Sequence, residues 1–142
     1  MTKIEVNKET MEQKIKFIEA HLKRLQELKK LSSKRFALPD NFDIAAWNLR
    51  CALESTFDIC AHILSRISGV KATEYKEMAL AMGKQNILPM NFAENQLYKM
   101  AGYRNRLTHF YFEVGGEEMQ QIIQNNLGDF EIFMKHIKPF IL

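Results

Sequence analysis

Residues 11–28, MEQKIKFIEAHLKRLQEL, place apolar side chains at Met11, Ile15, Ile18, Leu22 and Leu25, in steps of four, three, four and three. That spacing keeps one stripe on one face of a 3.6-residue helix, and the intervening Glu, Gln, Lys and Arg suit the solvated face. The stripe predicts a long helix reaching to about Leu31, which sets the reading of the rest of the chain. After it, SSKRFALPDNFD breaks the pattern: Pro39 is expected to stop a helix, and Asp40, Asn41 or Asp43 to cap the next. The second stripe is Leu49, Leu53, Phe57, Cys60, Leu64 and Ile67, ending near Gly69.

A shorter helix is predicted from Thr73, whose hydroxyl can cap, to Met82, with Gly83 as the residue that follows it. Asn91 and Glu94 have the spacing of a capping box for a fourth main helix that carries Leu97, Met100, Tyr103 and Leu107 inward. Gly115 and Gly116 break the chain again, and Glu117 and Glu118 suit a helix start. The last stripe, Met119, Ile123, Leu127, Phe130, Phe133 and Ile137, is closed by Pro139. No repeat or low-complexity tract interrupts this order. The expected architecture is an all-α, single-domain, up-and-down bundle over residues 1–142, with four main helices and a shorter one.

Composition agrees. A chain of 142 residues with 46% hydrophobic and 26% charged residues has the make-up of one globular domain with one core, and 6 Gly and 3 Pro argue against sandwiches and disorder. The eight Met and ten Phe fall mostly on the stripes, where they fill the core. No secretory leader or membrane-spanning run is visible, so a cytoplasmic protein without membrane contact is expected. Cys51 and Cys60, nine residues apart on one helix, stand about 13.5 Å apart along its axis, too far for a disulfide. Neither has a partner at metal-ligand spacing, and neither a metal nor another cofactor is called for.

The net charge is +3, but Lys23, Arg24, Lys29, Lys30, Lys34 and Arg35 crowd six cations into thirteen positions. They make either a solvated helix end that complements the helix dipole or a rim for phosphates of nucleic acid.

The densest chemistry lies in RNRLTHFYFEV, Arg104 to Val114. A guanidinium holds a phosphate bidentately, and an imidazole with an ordinary pKa near 6.5 moves protons at neutral pH. Metal-independent RNA cleavage needs a base for the ribose 2′-hydroxyl, a cation for the dianionic transition state and an acid for the leaving oxygen. In an unbroken helix, Arg104 and His109 point about 140° apart. For both to act on one ligand, the helix must end or distort near Thr108, or another chain must complete the site. A two-fold dimer would bring together two histidines and two arginines. His21, His62 and His136 lie on other helices and are expected to be structural or exposed.

MAGYRNRLTHFYFEV, preceded by ALESTFDICAHILS and YKEMALAMGKQNILP, resembles the HepT-like group of HEPN-domain proteins, the toxin halves of bacterial HEPN/MNT toxin–antitoxin systems. The resemblance spans about residues 45 to 140. Arg104, Asn105, His109 and Tyr111 match the family's Arg-Asn and His-x-Tyr positions. It implies a HEPN-like bundle and a metal-independent endoribonuclease, active as a homodimer with Arg104 and His109 at the two-fold interface and Asn105 in support. It also implies a minimal nucleotidyltransferase antitoxin that transfers AMP to Tyr111, placing phosphate charge two residues from His109.

Asp58 fits an acidic position of the family, where it pairs with Arg104, orients an imidazole or remains a plain solvated carboxylate near Arg50 and Glu54. Phe110, Glu113 and Gly115 depart from the common pattern and bear on substrate preference. Two further readings stand beside the toxin: a weakly catalytic dimeric module serving as partner and substrate of a nucleotidyltransferase, and a bundle that binds nucleic acid or nucleotide through Lys23 to Arg35 without cutting.

Overall fold

The structure, a computed structural model, describes residues 4–109 and 113–141, all of whose regular elements are helices. Helix α1 (Lys8–Lys29) buries Met11, Ile15, Ile18, Leu22, Leu25 and Leu28, and starts where the Asn7 side chain accepts the Thr10 N–H. A single turn, α2 (Ser33–Phe36), is capped by the Ser32 hydroxyl and drives Phe36 into the core. The sequence showed this stretch only as a break.

Helix α3 (Pro39–Ser65) begins at the proline itself. Pro39 was expected to stop a helix, but at the first helical position its missing N–H costs nothing and its fixed φ suits the turn. Leu38 precedes it with no side-chain cap, so none of Asp40, Asn41 and Asp43 caps. Asn41 instead donates to the Arg35 carbonyl and closes the corner after α2. The expected stripe of α3 is buried from Leu49 to Leu64, while Ile67 lies past the end of the helix at Ser65 and is half-buried; a second face (Ala45, Ala52, Thr56, Ile59 and Ile63) is buried too, because neighbouring helices cover both sides.

Helices α1 and α3 run antiparallel. The Asn7 N–H donates to His62 Nε2 (3.0 Å), Lys14 Nζ to Asp58 (2.9 Å), and His21 Nδ1 meets Asn48 Oδ1 (2.9 Å).

Helix α4 (Tyr75–Lys84) starts after Glu74, not at Thr73, whose backbone N–H donates to the Glu77 carboxylate. Gly83 lies inside α4, and the left-handed residue that ends the turn is Asn86 (φ 59°), which tolerates that conformation. Gly83 answers a different need: a Cβ there would meet Met90 Sδ at 2.5 Å and Ala93 Cβ at 2.8 Å, so α4 touches the next helix at this point.

That helix, α5, runs over residues 90–109 and is α-helical at Met90–Phe92, π-helical at Ala93–Leu97 and α-helical again at Tyr98–His109. In the wide turn the Tyr98 N–H reaches back five residues to the Ala93 carbonyl. The capping box at Asn91 and Glu94 does not form: Pro89 precedes the helix, and Asn91 Oδ1 accepts the Phe92 N–H.

The final stripe is split into α6 (Gly116–Asn125) and α7 (Gly128–Ile141). Its apolar positions are buried throughout, so periodicity alone carried it across the break. Pro139 lies inside the last turn of α7 rather than after it. Gln120 and Gln124 tie α6 to Ser33 Oγ and the Lys29 carbonyl. Among the described residues, the seven helices all contribute to one apolar core, and no helix is long and apolar enough to cross a membrane.

Candidate functional site around Arg104

Arg104 is drawn into the bundle, its side chain 14% exposed. Its guanidinium lies 4.1 Å from the centre of the Tyr75 ring, close enough for a cation–π contact. Tyr75 packs edge-on against the buried Phe57, with ring centres 5.4 Å apart. Arg104 Nη2 is 3.7 Å from Glu54 Oε1, and the same oxygen accepts Arg50 Nε at 3.2 Å. One carboxylate is thus shared by two guanidinium groups, and the longer contact is an ion pair beyond good hydrogen-bond range. Two atoms of this face are buried with no hydrogen-bond partner: Arg104 Nε and, one turn on, Thr108 Oγ1.

Asp58 is not part of this cluster. Its carboxylate is taken by Lys14 of α1, so the pairing with Arg104 considered from the sequence is replaced by Glu54, one helical turn earlier. Glu54, Arg50 and Tyr75 were missed as site residues. Glu54 and Asp58 share a face of α3 at a spacing of four, and only the three-dimensional course of α5 selects between them. Tyr75 carried no local signal, because its role comes from packing of α4 against α5.

Asn105 follows Arg104 and is half-buried; His109, the last residue of α5, is exposed. The helix stays α-helical through His109, so Arg104 and His109 do point about 140° apart along one regular segment. Tyr111 and Phe110 lie outside the described residues.

Arg106, which the sequence left unassigned, makes a two-pronged bond to Glu118 at 2.6 and 2.7 Å and reaches the Glu113 carbonyl at 3.4 Å. It ties the end of α5 to the first turn of α6. The bond holds the Glu118 carboxyl below its usual pKa and raises that of Arg106.

His62 accepts a bond from the Asn7 N–H, and burial, then the positive Arg66, lowers its pKa. His21 is held by Asn48. Cys51 and Cys60 are free thiols, and burial pushes both pKa values up. The basic cluster Lys23 to Arg35 is exposed beyond the His21–Asn48 contact, away from the Glu54 level of α3. Two surface depressions of about 480 Å³ lie elsewhere, one by Phe36, Pro39 and Phe42, the other by Leu22 and Lys135.

The sequence profile of the family described as ribonuclease HepT-like matches residues 18–137. The chain belongs to this HepT-like family. It is 30% identical over 129 residues to the mRNA nuclease HepT of Shewanella oneidensis, covering 88% of this chain and 93% of that one. It is 27% identical over 94 residues to the tRNA nuclease HepT of Aphanizomenon flos-aquae, 66% of this chain and 63% of that one.

The fold superposes, with a TM-score of 0.82 and 25% identity, on a tri-AMPylated Shewanella oneidensis HEPN toxin solved in complex with its MNT antitoxin, over 92% of this chain and 97% of that chain. The HepT-like assignment accounts for the all-helical fold and gives the Arg104 cluster a chemical context, that of a nuclease family.

Proposed function

We propose that the protein is the endoribonuclease toxin of a toxin–antitoxin pair, acting in the cytoplasm on RNA through Arg104 and His109. The observation that carries the reading is the Arg104 guanidinium, drawn into the bundle between Tyr75 and Glu54 and lacking a full set of hydrogen bonds. A pre-positioned cation is what a pentacoordinate phosphorane requires. Glu54 keeps Arg50 as its partner when a phosphate oxygen takes over Arg104.

Because Arg104 and His109 diverge on one regular helix, a homodimer supplies the missing geometry. Two copies bring His109 of one chain to Arg104 of the other, with one histidine as base and one as acid. Asn105 supports the arginine. The reaction needs no metal. A minimal nucleotidyltransferase antitoxin silences the toxin by adding AMP to Tyr111, whose phosphate competes for Arg104. These roles are supported by the toxin and antitoxin relatives and by the match of Arg104, Asn105, His109 and Tyr111 to the family motif.

The purified protein should cleave RNA in EDTA, and Arg104→Ala and His109→Ala should abolish cleavage while keeping the helical circular dichroism signal. Intact RNA with the wild-type protein, or cleavage that requires magnesium, would overturn the reading. Light scattering should report a dimer at micromolar concentration; a monomer that still cuts would remove the two-chain site.

The alternative of a weakly catalytic partner and AMP acceptor draws on one observation, the Glu54 carboxylate already on Arg104. It predicts AMP transfer to Tyr111 without measurable RNA cleavage.

A further inference from the structure

Trp47 is the most exposed large apolar side chain of the described residues, at 58%, and it is the single tryptophan of the chain. It lies on the solvent side of α3 with Arg50 and Glu54, three and seven residues on, so the ring stands about 10.5 Å along the axis from the carboxylate that pairs with Arg104. The Arg50 guanidinium is 6.0 Å from the Trp47 ring centre and donates through Nε to Glu54. Ring, cation, carboxylate and Arg104 therefore form one continuous row.

We infer that Trp47 is a stacking platform for a base of single-stranded RNA, with Arg50 beside it for the connecting phosphate and Arg104 at the reacting one. The inference rests on the ribonuclease reading and adds to it a place where the substrate strand is gripped away from the scissile bond. An indole face accepts any base, and a neighbouring arginine adds cation–π and phosphate contacts. Arg50 has five N–H donors, of which Glu54 takes the one on Nε, so further donors remain for a phosphate oxygen.

The strand runs from the ring towards Arg50 and Arg104, the two cations of this row. The surroundings also favour a base over a second protein chain. Protein interfaces are depleted of charge at their cores, and a chain laid over Trp47 would have to cover Asp43, Arg50 and Glu54 as well. A stacked base covers the ring and leaves those groups in water.

Because no other residue contributes tryptophan fluorescence, the emission of the folded protein reports on this ring. His109→Ala protein, which should bind RNA without cutting it, is titrated with a short single-stranded oligoribonucleotide while binding is followed separately by the anisotropy of a label on the RNA. The expected result is quenching that follows the anisotropy curve, with much weaker quenching by a duplex of the same sequence.

In the cleaving protein, Trp47→Ala should raise KM about tenfold, in the range for one lost stacked base, with a smaller effect on kcat, and Trp47→Phe should restore most of it. Anisotropy that rises with no change in emission would overturn the inference and leave the ribonuclease reading intact. An unchanged KM in Trp47→Ala, or equal quenching by the duplex, would do the same. Emission that shifts on concentrating the protein without RNA would assign the ring to a contact between copies and also overturn it. Failure of the wild-type protein to cleave, together with no RNA binding by His109→Ala, would remove the reading and the inference together.

Discussion

Two parts of the bundle handle their polar groups in opposite ways. Along the seam of α1 and α3, three contacts between 2.9 and 3.0 Å close one after another, Asn7 with His62, Lys14 with Asp58 and His21 with Asn48. At the end of α5, Arg104 has a 3.7 Å ion pair and a ring face, and Arg104 Nε and Thr108 Oγ1 are buried without hydrogen-bond partners. Buried polar atoms are nearly always paired in folded proteins. The seam therefore holds the two longest helices in register, whereas the α5 end leaves two buried polar atoms unpaired at a small energetic cost, which suits the ligand-binding role proposed for Arg104.

The largest effect should come from a residue that supports both parts. Phe57 is fully buried in α3 and lies under Tyr75. Phe57→Ala should lower the unfolding free energy by about 3–5 kcal/mol, measured by denaturant titration, and blunt cleavage as the Tyr75 support goes. A loss below about 1 kcal/mol would mean that Tyr75 stands without it.

Next comes Arg104→Ala. Cleavage should fall by at least about a hundredfold, while stability changes by less than about 1 kcal/mol, since the ion pair is long and partly exposed. If unfolding shows a loss of about 3 kcal/mol or more, Arg104 belongs with the structural seam and the contrast collapses.

A smaller difference separates two carboxylates four residues apart. Glu54→Gln should alter KM several-fold through its contact with Arg104, whereas Asp58→Asn should leave cleavage within about twofold and stability within about 0.5 kcal/mol. The reverse order in steady-state kinetics would return Asp58 to the site.

The smallest effect is a pH dependence within the seam. The pKa of His62 is lowered by burial and by Arg66, so the folded protein favours the neutral ring that accepts the Asn7 N–H. Its contribution should be complete above the ordinary pKa of about 6.5 and be lost as pH falls below it through the folded value. Thermal melts at pH 7.5 and 5.0 should differ less for His62→Gln than for the wild type. An equal difference would place the acid sensitivity on other groups.

These contrasts also explain what could be read in the chain and what could not. Helical stripes were visible because burial repeats with the helix period, and Arg104, Asn105 and His109 were visible because they cluster within six positions. The start of α3 was misjudged because proline disfavours a helix interior but favours its first turn, and sequence alone left its position in doubt. The last stripe concealed the break between α6 and α7, since Leu127 stays buried while the backbone turns around it. Glu54 and Tyr75 were hidden for a different reason: a contact between separate helices depends on how each is rotated, which local periodicity does not encode.

The wide turn at Ala93–Leu97 governs that rotation for α5. One residue is accommodated there beyond what a regular helix would hold, so the segment after it runs out of phase by about 100° with the segment before it. Length, more than side-chain identity, is thus what aims Arg104. Deleting the exposed Asn95 would let the ladder return to ordinary bonding and leave residues 98–109 facing as before, whereas straightening the turn at full length would swing them as a block by about 100° and carry the guanidinium off the Tyr75 ring. In that straightened helix every side chain of the cluster would still be present, with Arg104 alone turned away from Tyr75 and Glu54.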